Sequence, residues 1–323
     1  MKEDTATSTY TIPCSDTVHC VEFSPFEWSC QLLAAGTSSG ISVFLCKFQE
    51  EDAKITKGIE FTRLRDFSTN CNTLALAWSP QTSLQVLPKI LSFAAATDDR
   101  SLRIFTTDLN TTHSVKALSG HKGFVNAVTF DPNEGSLLAS TGDDLTCRVW
   151  SVADGRQESL FQLTSPGMSV CWHTDEAYKL MVAQKDGNIR FLSLHNQQPI
   201  MSLSCGQTPL LSADWSRHNH LLVGAAAGSE WMVFNVSVSS LPIDKRQAHS
   251  EGACLFRWSR CHESLLATCG RPGRELKVFN TRHQQLHVNT NLKVAYGLSW
   301  HLHLPILAVG GDRAVHFWTV ESI

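Results

Sequence analysis

Histidine and cysteine are the side chains through which this sequence would do chemistry, and it holds fourteen of the first and eleven of the second. A structural zinc needs thiolates or imidazoles at short fixed spacings, most often as C-x-x-C pairs. No such pair occurs, and Cys14, Cys20 and Cys30 come closest to a cluster. An odd, scattered set reads as buried thiols in a reducing compartment, with no metal expected. The other reactive signatures are missing too: no G-x-S-x-G elbow, P-loop, dinucleotide fingerprint or H-E-x-x-H is present. No catalytic residue, metal ligand or cofactor site is therefore assigned, and the chain is not expected to be an enzyme. His173 and His301 follow Trp172 and Trp300 where related segments carry Ser or Asp, which points to a role in a turn. The acidic run Glu50, Glu51, Asp52 reads as a solvated loop, with a partner contact as the sharper alternative. Asn110-Thr-Thr matches a glycosylation sequon that stays idle without a secretory signal.

Charge narrows the partners. With 27 basic against 30 acidic side chains the formal net charge is −3, and no basic run appears. Non-specific nucleic-acid binding needs clustered Lys and Arg, so no direct nucleic-acid contact is expected. The first ten residues, MKEDTATSTY, lack the apolar core of a signal peptide. The longest apolar patches, such as ILSFAAA at 90–96, fall well short of a membrane span. A soluble, non-secreted chain without a transmembrane segment or small-molecule substrate is the expectation.

The elements that position these residues repeat. Seven short β-rich segments end in a large aromatic: Phe23, Trp78, Phe130, Trp172, Trp215, Trp258 and Trp300. A second series follows each by about twenty residues: Phe44, Phe105, Trp150, Leu192, Phe234, Phe279 and Trp318. Both series count seven, and the spacing settles to 42 or 43 after Phe130, the period of a WD40 blade. Between the anchors lie short, nearly continuous apolar runs such as LLAST at 137–141 and ILAVG at 306–310, as expected of strands covered on both faces. Such units bury both faces only by stacking around an axis. The predicted fold is all-β, a seven-bladed propeller forming a single domain over 1–323. Residues Tyr10 to Pro13 are expected to supply the missing outer strand of the last blade. Residues 1–9 read as a flexible tail, and 47–66 as a loop insertion between blades one and two.

The third repeat carries the most specific resemblance. It runs LSGHKGFVNAVTFDP from Leu118 and closes with LASTGDDLTCRVW at Trp150, which resembles the WD40 family. That resemblance implies a buried network of His121, Ser140, Asp144 and Trp150. Asp99 and Asp312 hold the same turn position in blades two and seven, and the remaining blades lack the full set. At a finer level SPGMSVCWH at 165–173, ACLFRWS at 253–259, GLSWH at 297–301 and VEFSPFE at 21–27 are similar to the nucleoporin 37 family of small WD-repeat nucleoporins, along essentially the whole chain. The resemblance implies a structural subunit of the Y-shaped outer-ring complex of the nuclear pore, docked on the large subunit built of a propeller and a helical solenoid. It also implies residence at the nuclear envelope and relocation to kinetochores in mitosis.

In the WD40 pattern two slots per blade, just before the inner strand and two residues later, face the top rim. Here they hold Phe124 and Asn126, Pro166 and Met168, Pro209 and Leu211, Val294 and Tyr296, with Leu74 in blade two. An apolar rim marks a candidate protein interface, whereas the blander reading makes Met168 and Leu211 plugs of the channel. Two other classes compete. A ubiquitin-ligase substrate adaptor usually shows W-D-x-R at a blade end, where this chain has Trp150-Ser-Val-Ala. A histone or peptide reader would need a cage, for which Phe124, Tyr296 and Asp143 are the candidates.

Overall fold

The computed structural model describes residues 7–52, 54–56, 58–110, 113–272, 274–283, 286–292 and 296–320. They form seven four-stranded antiparallel sheets. Each innermost strand packs against those of the two neighbouring blades, and the seventh returns to the first, so the sheets close into a ring. The predicted seven-bladed propeller is the observed fold. One short 3-10 turn, Glu27–Ser29, interrupts the β structure of the described residues.

Each anchor of the first series ends an innermost strand, from Val18–Phe23 in blade one to Tyr296–Trp300 in blade seven. Each anchor of the second series lies in the third strand of its blade. Position in the blade decides composition. The second strands, such as Leu32–Thr37 and Leu91–Thr97, are buried at every residue because neighbouring blades cover both faces, so small and apolar side chains fill them. The outermost strand Gln157–Gln162 has only one face covered and alternates, burying Ser159 and Phe161 alone. Leu192 stands where other blades carry an aromatic and is buried among Trp172, Leu180 and Val149.

Polar bonds stitch blade to blade beside the channel. The indole Nε1 of Trp78 donates to Glu22 O at 2.9 Å, that of Trp172 to Thr129 O at 3.2 Å, and that of Trp300 to Arg257 O at 3.3 Å. Each acceptor is the residue before the preceding blade's anchor. Where Trp215 turns inward to His220 O instead, Ser169 Oγ accepts Ala213 N at 2.9 Å across the same boundary. Asp214 Oδ2 accepts Trp258 N at 2.9 Å, and Ser299 Oγ accepts Phe23 N at 2.9 Å where blade seven meets blade one.

The ring is closed by Tyr10–Pro13, which pairs with the strand Ala314–Thr319 in the register Tyr10 to Phe317 through Pro13 to Ala314. Ile12 is fully buried among Phe23, Phe44, Phe48 and Phe317. Blade one reinforces the seam, since Glu50 Oε1 accepts the Tyr10 hydroxyl at 2.9 Å and Thr319 Oγ1 at 3.1 Å. The acidic run is a solvated loop, exposed at Glu50, Glu51 and Asp52 as expected, and it also meets the closure: Glu51 Oε1 lies 4.0 Å from His301 Nε2, while Asp52 Oδ1 accepts Lys54 N locally at 2.9 Å.

Two expectations about segments change. Residues 47–66 are not an insertion between blades. Gly40–Phe48 and Ile59–Ser68 pair without a break from Gly40 opposite Ser68 to Phe48 opposite Ile59, apart from a bulge at Val43 and Phe44. The extra length is thus a long outer hairpin inside blade one, and the link to blade two is the short run 69–72. Of the tail read as flexible, residues 1–6 lie outside the described residues, while Thr9 N already donates to Phe317 O at 2.7 Å.

Candidate docking site

The residues predicted to form a network in blade three meet in one chain of hydrogen bonds. Trp150 Nε1 donates to Ser140 Oγ at 2.8 Å, and Ser140 Oγ stands 2.8 Å from His121 Nε2. His121 Nδ1 lies 2.9 Å from Asp144 Oδ2, which also accepts Lys122 N at 3.0 Å, while Oδ1 accepts Thr146 Oγ1 at 2.7 Å. Burial works against the charge of Asp144, but the bonds from Lys122 N and Thr146 outweigh it and hold the carboxyl below its usual range. Burial also lowers His121, against the pull of Asp144. A neutral imidazole donating from Nδ1 and accepting at Nε2 satisfies every partner.

Blade six holds a second network that the sequence reading missed. His249 Nε2 lies 3.0 Å from Thr268 Oγ1 and its Nδ1 3.0 Å from Glu275 Oε2, with Lys277 Nζ 3.0 Å from the same oxygen. The signal was present: histidine precedes the hydroxyl by 19 residues in both blades. Glu in place of Asp and Phe279 in place of Trp hid it. In blade four Asp186 takes the turn position, with Oδ2 accepting Thr164 Oγ1 at 3.0 Å.

His173 and His301 sit in turns, and their bonding explains why. His173 Nδ1 accepts Asp175 N at 3.1 Å and Glu176 N at 3.0 Å; His301 Nδ1 accepts His303 N at 3.3 Å and Leu304 N at 3.1 Å. In blade three the carboxylate of Asp131 does the same for Asn133 N at 3.0 Å. The imidazole is thus a neutral acceptor that substitutes for Ser or Asp. Buried between Phe23 and Phe48, His301 has its pKa lowered by desolvation to about 4, and burial lowers His173 as well.

Among the described residues no group of three or more His, Cys, Asp or Glu side chains converges as a metal site, and Cys14, Cys20 and Cys30 are all free thiols. Burial pushes Cys147, Cys171, Cys205 and Cys269 up to about 12, which makes them poor nucleophiles.

Three of the rim candidates, Leu74, Met168 and Leu211, owe their placement to a bulge repeated in every blade. Between the inner and second strands the register slips by one residue, at His19, Leu74, Asn126, Met168, Leu211 and Cys254, each four places before its anchor. A bulge leaves one residue unpaired and re-aims its side chain, and all six line the top of the central channel. In blade seven the slip comes one place later, at Gly297. Its φ is +71°, and a Cβ there would stand 2.5 Å from Val21 N, so only glycine fits where blade one crowds it. Tyr296 still lines the channel, with the Arg274 guanidinium 4.3 Å from its ring centroid.

The rim residues differ in exposure. Leu74 is 37% and Phe124 42% exposed, Pro209 is exposed too, and Met168, Leu211 and Tyr296 are half-buried channel walls. Val294 lies outside the described residues.

Comparison with known proteins adds to this geometry. The family model described as WD domain, G-beta repeat matches residues 112–151, the segment that carries the blade-three network. Nucleoporin Nup37 of Homo sapiens is 44% identical, covering 99% of this chain and all of the human one. The Mus musculus Nup37 is 45% identical at the same coverage, and the Drosophila melanogaster Nup37 is 30% identical over 97% of each chain. The chain belongs to the Nup37 family.

For a Nup37-family propeller the cage of a peptide reader is poorly formed. Tyr296 faces the channel with Arg274 and His19 against its ring, and Phe124 lies beneath Arg100 at 5.9 Å. The Tyr296 ring thus already carries side chains of the protein itself, while Phe124 stays 42% exposed. Asp143 is spent on Asn126, whose Nδ2 donates to it at 2.8 Å.

Two measurements check this chemistry. Asp144→Ala leaves Lys122 N, Thr146 and His121 short of an acceptor and should cost about 1–3 kcal/mol in urea unfolding. Glu275→Ala, at a more exposed site, should cost less. The second concerns pH. His301 is held at about 4 when folded against an ordinary 6.5, so between those values the unfolded chain binds the extra proton. Stability from this group is whole above about 6.5 and falls as pH drops towards 4, by an amount on the order of 3 kcal/mol. His301→Asn supplies a non-titrating acceptor and should flatten the melting-temperature profile over that range.

Proposed function

We propose that this Nup37-family chain is a non-enzymatic scaffold subunit of the Y-shaped outer-ring complex of the nuclear pore. It would dock through its top rim onto other nucleoporins, chiefly the large subunit with a propeller and a helical solenoid. The observation that carries the reading is similarity to proteins named nucleoporin over 99% of this chain. The rim supports it: Leu74, Phe124 and Pro209 are exposed apolar side chains beside the half-buried Met168, Leu211 and Tyr296. Helices of a solenoid dock by laying apolar side chains into such shallow surfaces, and a few central anchors dominate the energy. Residence at the nuclear envelope, support of pore assembly and hence of nucleocytoplasmic transport, and relocation to kinetochores in mitosis belong to the same proposal.

The test is a tagged chain carrying Leu74→Glu with Phe124→Glu. Both residues are exposed, so the fold should survive. Each lost anchor should cost about 2 kcal/mol or more, enough to abolish recovery of outer-ring nucleoporins and the fluorescent nuclear rim. Met168→Glu with Leu211→Glu tests the deeper pair, and failure of that variant to fold would make those two residues channel plugs. A folded Leu74, Phe124 variant that still binds and reaches the rim would place the interface elsewhere. Recovery of a cullin adaptor or of histones by the unmodified chain would overturn the scaffold reading.

A further inference from the structure

The central channel carries a charge imbalance that the ring's own contacts do not settle. It encloses about 500 Å³, and its walls include Arg217, Arg257, Arg260, Arg271 and Arg274 against only Glu22 and Asp214. On the outside of the ring Arg63, Arg103, Arg156 and Arg246 each meet a carboxylate, at 3.3, 2.6, 2.9 and 3.4 Å. Among the described residues none of the five channel arginines stands within 4.0 Å of one.

Their bonding is sparse. Arg257 uses one nitrogen for Ser212 Oγ at 3.1 Å and Phe256 O at 2.9 Å. Arg217 reaches from blade five across to Pro25 O in blade one at 2.6 Å, and so bars the bottom mouth. Neither Arg260 nor Arg271 hydrogen-bonds to a described residue through its guanidinium. Arg274 lies over the Tyr296 ring with a buried Nη1 bonded to nothing. A covered N–H without an acceptor is costly, and like charges gathered in one enclosure repel. Burial and the neighbouring Arg260 together pull Arg217 down to about 10. Of the two acids, Asp214 is occupied by Trp258 N. Burial raises Glu22 to about 7 against the pull of Arg257 and Arg260, so it can give up its charge when an anion enters and takes over those two partners.

We propose that the channel binds a compact polyanion carrying several phosphates, admitted at the top mouth between Arg271 and Arg274 and reaching Arg257 and Arg260 below. The guanidinium fork matches pairs of phosphate oxygens and binds them more strongly than a point charge does. A channel of this volume is in the range of small-ligand sites, and a bottom barred by Arg217 makes it a dead end rather than a pore for a threaded chain. Met168, Leu211 and Tyr296 line both this channel and the proposed docking rim, so the site is tested on the chain alone, without a partner.

The test is calorimetric titration of the full chain at low salt with inositol hexakisphosphate as the probe. Binding should be one-to-one and should raise the melting temperature. Arg260→Ser and Arg271→Ser each remove a guanidinium that the fold does not hydrogen-bond, and each should weaken binding about tenfold or more. Arg282→Ser on the outer surface should change nothing. If a serine variant melts early without the probe, the Lys variant at that position keeps the charge and loses the fork. A partial loss there supports the proposal, and no loss overturns it. No binding, or binding of several equivalents that the channel variants leave intact, would make the probe a surface counterion and overturn the site. A short oligoglutamate binding as tightly, with the same losses, would overturn the phosphate assignment in favour of an acidic peptide.

Discussion

A blade of this ring is apolar on both faces, so it is stable only between two others, and the first and last blades have no neighbour unless the ring closes. That closure rests on four residues, Tyr10 to Pro13, paired along the last strand of blade seven. Their pairing removes a sheet edge that would otherwise lie open. It also carries Ile12 into the apolar cluster shared by blades one and seven. The long hairpin of blade one then folds over the seam, with Glu50 bonded to both Tyr10 and Thr319. Of the bonds running from blade to blade beside the channel, that from Phe23 N to Ser299 Oγ crosses the closing boundary itself.

Within that frame repetition and variation divide the work. The anchors recur because each fills the same space between two blades, which is why the blade count and the closing strand were legible from aromatic spacing alone. The bulge four residues before the anchor recurs as well, and it converts a position in sequence into a position on the rim. Leu74, Met168 and Leu211 could therefore be placed at the channel mouth by counting. Tyr296 marks where counting slips, because Gly297 takes the bulge in blade seven.

What stayed hidden depended on features without a fixed period. In the sequence 47–66 looks like an insertion because its strands run longer than their counterparts, and length alone does not distinguish a strand from a loop. The network of His249, Thr268 and Glu275 escaped because it uses Glu where the familiar pattern has Asp. The acidic run is solvated as its composition suggests, but nothing local to it shows that Tyr10 and Thr319, far away in sequence, come to meet Glu50. Four of the channel arginines come from separate places along blade six and one from blade five, and only the folded blades turn them into the same channel. His173 and His301 were placed correctly in turns, yet the reason, a neutral nitrogen accepting two backbone N–H groups, is visible only in the bonds.

If the ring stands or falls as one unit, weakening its seam must weaken blades far from it. Native-state hydrogen exchange on Ile12→Ala tests this directly. Truncating a fully buried side chain of this kind costs about 2–5 kcal/mol. The account predicts that the slowest amides of every blade, including those of Val125–Phe130 and Leu210–Trp215 on the far side of the ring, lose protection by the same amount. Loss confined to Ala314–Thr319 and its immediate neighbours, with the distant blades unchanged, would show that the blades hold independently and would contradict it.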